Sequence, residues 1–197
     1  MAKLFQTSKT GDFYTQPIFP FSDRLRRLVW NVVCRLLFKP SPRPFFAWRA
    51  WVLRRFGARV GRGTYIYPTA KIWAPWHLRI DDTATIGPGV EIYNPGGITL
   101  EHHAIVSQDA FLCGGTHDFN DPAFPMIWKP IALGPYAWVC ARAIVLPGVV
   151  VGGGAVLGAG AVASRDLEPL GVYAGNPARR VGTRTLTAPS IGEETAC

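Results

Sequence analysis

Small aliphatic residues recur at every sixth position through much of this chain. Leu133, Val139, Val145, Val151, Leu157 and Ala163 form one unbroken run, and Gly134, Gly152 and Gly158 follow three of its members. Earlier runs keep the same step: Val60, Ile66, Ile72, Leu78; then Ile80, Ile86, Ile92, Ile98; then Leu100, Val106, Leu112. The register slips by two residues at 78–80 and again at 98–100. Six is the period of neither a helix nor a hairpin. A strand alternates every two residues, so a six-residue step means a short strand and a corner, repeated. That pattern predicts a parallel β-helix, in which the aliphatic side chain points into a narrow shaft and glycine occupies sharp corners. No coil buries its inner face alone, so the coils must stack. Ordinary sandwich strands would not hold one spacing over six consecutive matches.

The period divides the chain. The repeat occupies 58–184 and is interrupted at 113–130 (CGGTHDFNDPAFPMIWKP), which is predicted to loop out. Residues 1–57 are predicted to form an irregular arm and a helical cap, and 185–197 a mobile tail. Within the first segment, SDRLRRLVWNVVCRLLF from Ser22 has helical spacing at Leu25, Leu28, Val29, Val32, Val33, Leu36 and Leu37, with arginine on the other side. The prolines of 39–44 break it, and 45–57 reads as a second short helix ending at Gly57.

The net charge of +8 belongs to the N-terminal third. Residues 1–60 hold 12 Lys/Arg and two acids, Asp12 and Asp23, whereas 61–197 hold nine bases and 11 acids. Basic residues on a helix do not form the aromatic-studded platform of a nucleic-acid binder, so no nucleic-acid partner is expected. Two readings remain for residues 22–57: they cap the open end of the β-helix, the favoured one, or they dock on an anionic membrane surface. The four cysteines, Cys34, Cys113, Cys140 and Cys197, are scattered, which argues against a metal cage or a disulfide framework. The N-terminus has no signal-like apolar run, and the stretch from Leu28 to Phe38 is too short to span a bilayer. The expected location is the cytoplasm, with the inner membrane face as the alternative.

Three segments, 92–118 (IYNPGGITLEHHAIVSQDAFLCGGTHD), 129–167 and GNPARRV at 175–181, occur in order and cover more than half of residues 57–184. On these motifs the sequence resembles the hexapeptide-repeat acyltransferases, and within them the colanic-acid-type polysaccharide acetyltransferases. The resemblance implies a left-handed parallel β-helix and a homotrimer with active sites between neighbouring subunits. It implies acetyl transfer from acetyl-CoA to a sugar hydroxyl of a polysaccharide or lipopolysaccharide precursor, with no metal. It places the general base on His117, in the outward loop. An imidazole suits that task because its proton affinity matches neutral pH. Asp118 is expected to orient the ring or maintain the loop. Asn94 is a candidate oxyanion donor, though asparagine in a turn more often bonds its own backbone. By the same resemblance the coenzyme A groove involves Trp138, Ala141, Ala159 and Ser164, with Arg165, Arg179, Arg180 and Arg184 as phosphate-binding candidates.

Two rivals use the same fold. A trimeric carbonic anhydrase needs three converging histidines, and this chain has only His77, His102, His103 and His117. A non-catalytic scaffold would keep the six-residue step but would not need the THD, GAGAVASRDL and GNPA segments.

Overall fold

The structure, a computed structural model, describes residues 18–186 of the 197. The irregular arm expected over 1–20 and the tail expected over 185–197 lie almost wholly outside the described residues.

Residues 59–174 wind into stacked triangular coils whose sides form three parallel sheets. The first sheet holds Arg59–Val60, Leu78–Ile80, Ile98–Leu100, Ile131–Leu133 and Val150–Val151. The second holds Tyr65–Ile66, Thr85–Ile86, Ile105–Val106, Trp138–Val139, Val156–Leu157 and Gly171–Ala174. The third holds Lys71–Ile72, Glu91–Tyr93, Phe111–Cys113, Ile144–Val145 and Val162–Ala163. The six-step residues point into the shaft: Leu133, Val139, Val145, Val151 and Leu157 are all 0% exposed. Two positions before many of them sits a second inward residue, alanine at 70, 84, 104, 110, 137, 143, 155 and 161. Alanine fits there because the chain is entering the narrow vertex of the triangle, where packing at interior density leaves no room for a larger side chain.

The slips at 78–80 and 98–100 have a simple origin. Coils in the first half repeat every 20 residues, as in Arg59↔Arg79 and Lys71↔Glu91. Those in the second half repeat every 18, as in Trp138↔Val156. The longer coils widen the corner into the first sheet, and both ends of each three-residue strand there turn inward. Leu78 and Ile80 are buried, with Arg79 outside between them.

Each amide next to an inward residue donates to the following coil, for example Gly61 N to Ile80 O, Tyr67 N to Ile86 O and Trp73 N to Ile92 O. The matching carbonyls of the first coil, on Val60, Ile66 and Ile72, have no coil before them. Side chains from the helical layer take that place. This layer comprises α1 (Phe21–Val33), which continues as a π-helical turn over Cys34–Phe38, and α2 (Phe46–Arg55). Arg54 donates to Val60 O and Gly61 O, Arg49 Nε to Ile66 O, and Trp30 Nε1 to Ile72 O. One donor thus closes each sheet. Arg49 is fully buried, and its remaining nitrogens donate to Ser41 Oγ, Pro42 O and Arg43 O. At the other end, Arg179–Thr183 folds back antiparallel on Gly171–Ala174.

The orientation of α1 departs from the sequence expectation. The aliphatic stripe at Leu25, Leu28, Val29, Val32 and Leu36 faces outward; the side packed on the coil carries Trp30, Cys34 and Phe38. The helix also begins at Phe21, behind Pro20, with no side-chain cap from Ser22.

Replacing Arg49 with Met would strip the donor from the buried Ile66 carbonyl, from half-buried Ser41 Oγ and from the carbonyls of the exposed residues Pro42 and Arg43. A buried orphaned acceptor costs about 1–3 kcal/mol, so the variant is expected to lose roughly 3 kcal/mol. For a chain of this size that lowers Tm by about 6–12 °C, measurable by thermal unfolding followed by circular dichroism.

Candidate active site

The segment 113–130 leaves the stack after the third sheet of the third coil. It is a β-hairpin rather than an irregular loop: Gly115–His117 pairs antiparallel with Met126–Trp128, in register Thr116↔Ile127. A six-residue search could not show this, because two three-residue strands give too little alternation. The two glycines at its base are required by close approach. A Cβ on Gly114 would lie 2.7 Å from Tyr93 O, and one on Gly115 would lie 2.9 Å from both Met126 Cε and Tyr93 Cε1.

His117 ends the outgoing strand and is half-buried. Its Nδ1 lies 2.9 Å from the carbonyl oxygen of Phe124, and its ring stacks on the Phe124 ring at 4.4 Å and 8°. A carbonyl only accepts, so Nδ1 carries the proton and donates. In the neutral ring Nε2 then holds the lone pair. Phe124 therefore sets both tautomer and tilt, from a left-handed backbone conformation with φ of 49°. In the sequence Phe124 is one apolar residue of the 113–130 interruption. The contact that fixes the tautomer is made by its main chain, which leaves no mark in residue type.

Asp118 maintains the loop. Its Oδ1 accepts from Asn120 N, and its own amide donates to Pro125 O. The orienting role considered for Asp118 falls instead to the Phe124 carbonyl.

His117 opens into a cleft of about 420 Å³ lined by Cys113, Thr116, Ile127, Lys129, Leu146, Pro147 and Ser164. The cleft lies beneath the hairpin, along the corners where the fourth and fifth coils leave the third sheet. Of the residues expected to form the coenzyme groove, Ser164 alone lines it. Trp138 lies on the second sheet, half-exposed, its Nε1 donating to Ser107 Oγ. Ala141 and Ala159 sit at the turns from the second sheet to the third, joined by Gly160 N donating to Ala141 O. Among the arginines, Arg180 pairs with Glu168 at 2.6 Å, and Arg184 donates to Tyr136 O at 2.9 Å. Arg165 and Arg179 are exposed and form no ion pair among the described residues.

Asn94 requires a correction. It is 0% exposed and does not line the cleft. Its Oδ1 accepts from Ala74 N and its Nδ2 donates to Ala74 O, 20 residues earlier, so the side chain acts as an extra rung between two coils. A carboxamide committed at both ends to the backbone of one residue is not poised to stabilise an oxyanion. The remaining histidines stand elsewhere. His103 stacks on Tyr136 and bonds Thr83 Oγ1 at a corner, while His77 lines a separate cleft with Asp23 and Trp128. No group of three or more His, Cys, Asp or Glu side chains is placed to hold a metal among the described residues.

No family model matches the chain. A protein relative does: WcaF of Escherichia coli K12, named for acetyl transfer in colanic acid biosynthesis, is 37% identical over 159 residues, spanning 81% of this chain and 87% of WcaF. The chain belongs to the hexapeptide-repeat acetyltransferases. Solved structures agree on the fold. A hexapeptide-repeat acetyltransferase of Vibrio cholerae, complexed with acetyl-CoA, superposes with a TM-score of 0.75 at 20% identity, over 84% of this chain and 90% of that one. A maltose O-acetyltransferase of Clostridium difficile 630 gives a TM-score of 0.76 at 18% identity, over 85% and 90%. The coil is left-handed, as it is in these neighbours.

Cys113 is the cleft's only side chain capable of forming a covalent thioester among the described residues. Burial pushes its thiol pKa up, and the thiol donates to Gly115 O at 3.2 Å. A protonated thiol is a weak nucleophile. This acetyltransferase should therefore transfer directly: Cys113→Ala keeps acetyl-transfer activity within about threefold, and intact mass after incubation with acetyl-CoA alone shows no added acetyl group. If His117 is a reacting group, removing the stacked ring in Phe124→Ala should lower kcat by about tenfold or more, since misplacing such a group by an ångström is costly, with little change in KM.

Proposed function

We propose that this protein transfers the acetyl group of acetyl-CoA to a sugar hydroxyl of a polysaccharide or lipopolysaccharide precursor, with His117 as general base. The observation that carries this reading is the pairing of His117 Nδ1 with the Phe124 carbonyl, which leaves Nε2 free to accept a proton beside the cleft. The acceptor hydroxyl attacks the thioester carbonyl carbon as Nε2 takes its proton. The tetrahedral intermediate then collapses, the carbon–sulfur bond breaks, and the imidazolium returns the proton to the leaving thiolate. The products are an acetyl ester and free coenzyme A. Ser164 and Lys129 offer polar groups in the cleft, and Leu146, Pro147 and Ile127 an apolar wall for the pantetheine end.

The working unit is a homotrimer with each site shared between two subunits. Support comes from the distribution of the groove residues: one chain sets His117 and Ser164 at the corner leaving the third sheet, but Trp138, Ala141 and Ala159 on the second sheet and its turns. A cyclic arrangement brings one subunit's second sheet to its neighbour's hairpin and makes three equivalent sites. Arg165 and Arg179, exposed and without ion pairs among the described residues, are the better placed of the four arginines to meet the coenzyme's phosphates. The sugar acceptor is favoured by the names of the relatives, one concerned with colanic acid and one with maltose.

Purified protein incubated with acetyl-CoA and a panel of glycan acceptors should release free thiol. His117→Ala should lower kcat by about 10²–10⁴-fold, the range for loss of a general base. Unchanged turnover in that variant rejects the base. Light scattering should give three times the 21.6 kDa chain mass, and a monomer with full activity rejects the shared site.

A further inference from the structure

We propose that the outer face of the helical layer is a docking surface for an anionic lipid bilayer, on which the protein lies without spanning it. The two faces of α1 differ in what they meet. Trp30, Cys34 and Phe38 are 1%, 8% and 0% exposed and close the end of the β-helix. The opposite side carries Phe21, Leu25, Leu28, Val29, Val32 and Leu36, exposed by 74%, 48%, 59%, 48%, 49% and 67%. At 3.6 residues per turn these six positions fall within an arc of about 100°. The cap therefore needs only the narrow inner face, and the broader aliphatic stripe is left exposed among the described residues.

The apolar surface continues onto α2. Trp48 donates its indole N–H to Leu37 O, and its ring stacks on Trp51 at 5.0 Å; both rings are partly exposed. Exposed tryptophans beside an aliphatic stripe suit the headgroup boundary, where an apolar ring body and a polar N–H are both satisfied. Arginines line the borders. Arg24 and Arg35 flank one side of the stripe, exposed and without ion pairs among the described residues. Arg26 flanks the other, held over the Trp76 ring at 4.2 Å. Residues 18–57 contain nine Lys/Arg and a single acid, Asp23. An aliphatic stripe bordered by basic residues is the pattern of a helix lying in the interface of an anionic bilayer. No helix among the described residues is long and apolar enough to cross a membrane.

A second copy of this chain fits the stripe less well. The same face from a partner brings basic borders against basic borders. A strip about 24 Å long and one helix face wide also falls well short of the roughly 800 Å² per partner of a stable interface. The proposal is independent of His117 and of the acceptor.

The test is flotation of the full chain with vesicles of phosphatidylglycerol in phosphatidylcholine, against vesicles of phosphatidylcholine alone. The expected result is co-flotation with the anionic vesicles at low salt, weaker by about tenfold or more with neutral vesicles. Leu28→Glu/Val32→Glu should lose at least about tenfold in partitioning while keeping its Tm and its sedimentation mass, since both side chains are exposed. Arg24→Glu/Arg35→Glu, which leaves the stripe apolar, should shift binding toward that seen with neutral vesicles. No co-flotation at low salt, or equal flotation of the stripe variant, overturns the proposal. A smaller assembly mass in the stripe variant also overturns it, by assigning the stripe to a second copy.

Discussion

A stack of β-coils has two open edges, and a structure of this kind depends on how it closes them. Every inner coil passes its carbonyls to the amides of the coil before it, so the carbonyls of the first coil have no such partner. An unpaired strand edge is an invitation to add another chain, and a buried unpaired carbonyl is expensive. On each sheet one first-coil carbonyl, at Val60, Ile66 or Ile72, six residues apart, is answered by Arg54, Arg49 or Trp30 in turn. The helical layer is therefore not an appendage to the β-helix. It supplies the missing rung, and its inner apolar residues seal the shaft behind that rung.

Once the stack is closed it becomes a ruler. Coil follows coil at a fixed register, so an insertion at one corner is carried to a defined height and side. The hairpin at 113–130 leaves the corner after the third sheet and hangs over the same corner of the next two coils, where Leu146, Pro147 and Ser164 form the floor of the cleft. Stability and chemistry are linked through this geometry. Gly114 and Gly115 let the hairpin rise against Tyr93 and Met126 without a clash, and the return strand brings the Phe124 carbonyl to His117. The positioning of the imidazole thus rests on backbone pairing rather than on a neighbouring carboxylate. Asp118, the acidic residue beside it in sequence, is occupied in holding the turn.

The same economy appears in Asn94 and in α1. Asn94 spends its carboxamide on Ala74, adding a rung where the 20-residue coils widen their corner. In α1, three residues of one face suffice to cover the shaft, which leaves the aliphatic side exposed among the described residues. One short segment thereby closes the fold from within and presents a separate surface outward.

By itself, the amino-acid sequence determined the coil. A six-residue step of Leu, Val and Ile calls for a stacked coil with an inward residue on each side, and the interruption at 113–130 marks where the chain leaves it; that the coil has three sides emerges only from the strand pairing. His117 could be singled out as a candidate because the THD motif is local. Only the tertiary structure decided which face of α1 is inner: an amphipathic pattern records that a stripe exists, not which surface it meets, and Trp30 prevails because its N–H satisfies Ile72 O. The carbonyl that holds His117, the twofold engagement of Asn94 and the 20-to-18 change in coil length likewise emerge only in three dimensions. Main-chain groups are common to every residue, so their partners leave no signature in the order of side chains.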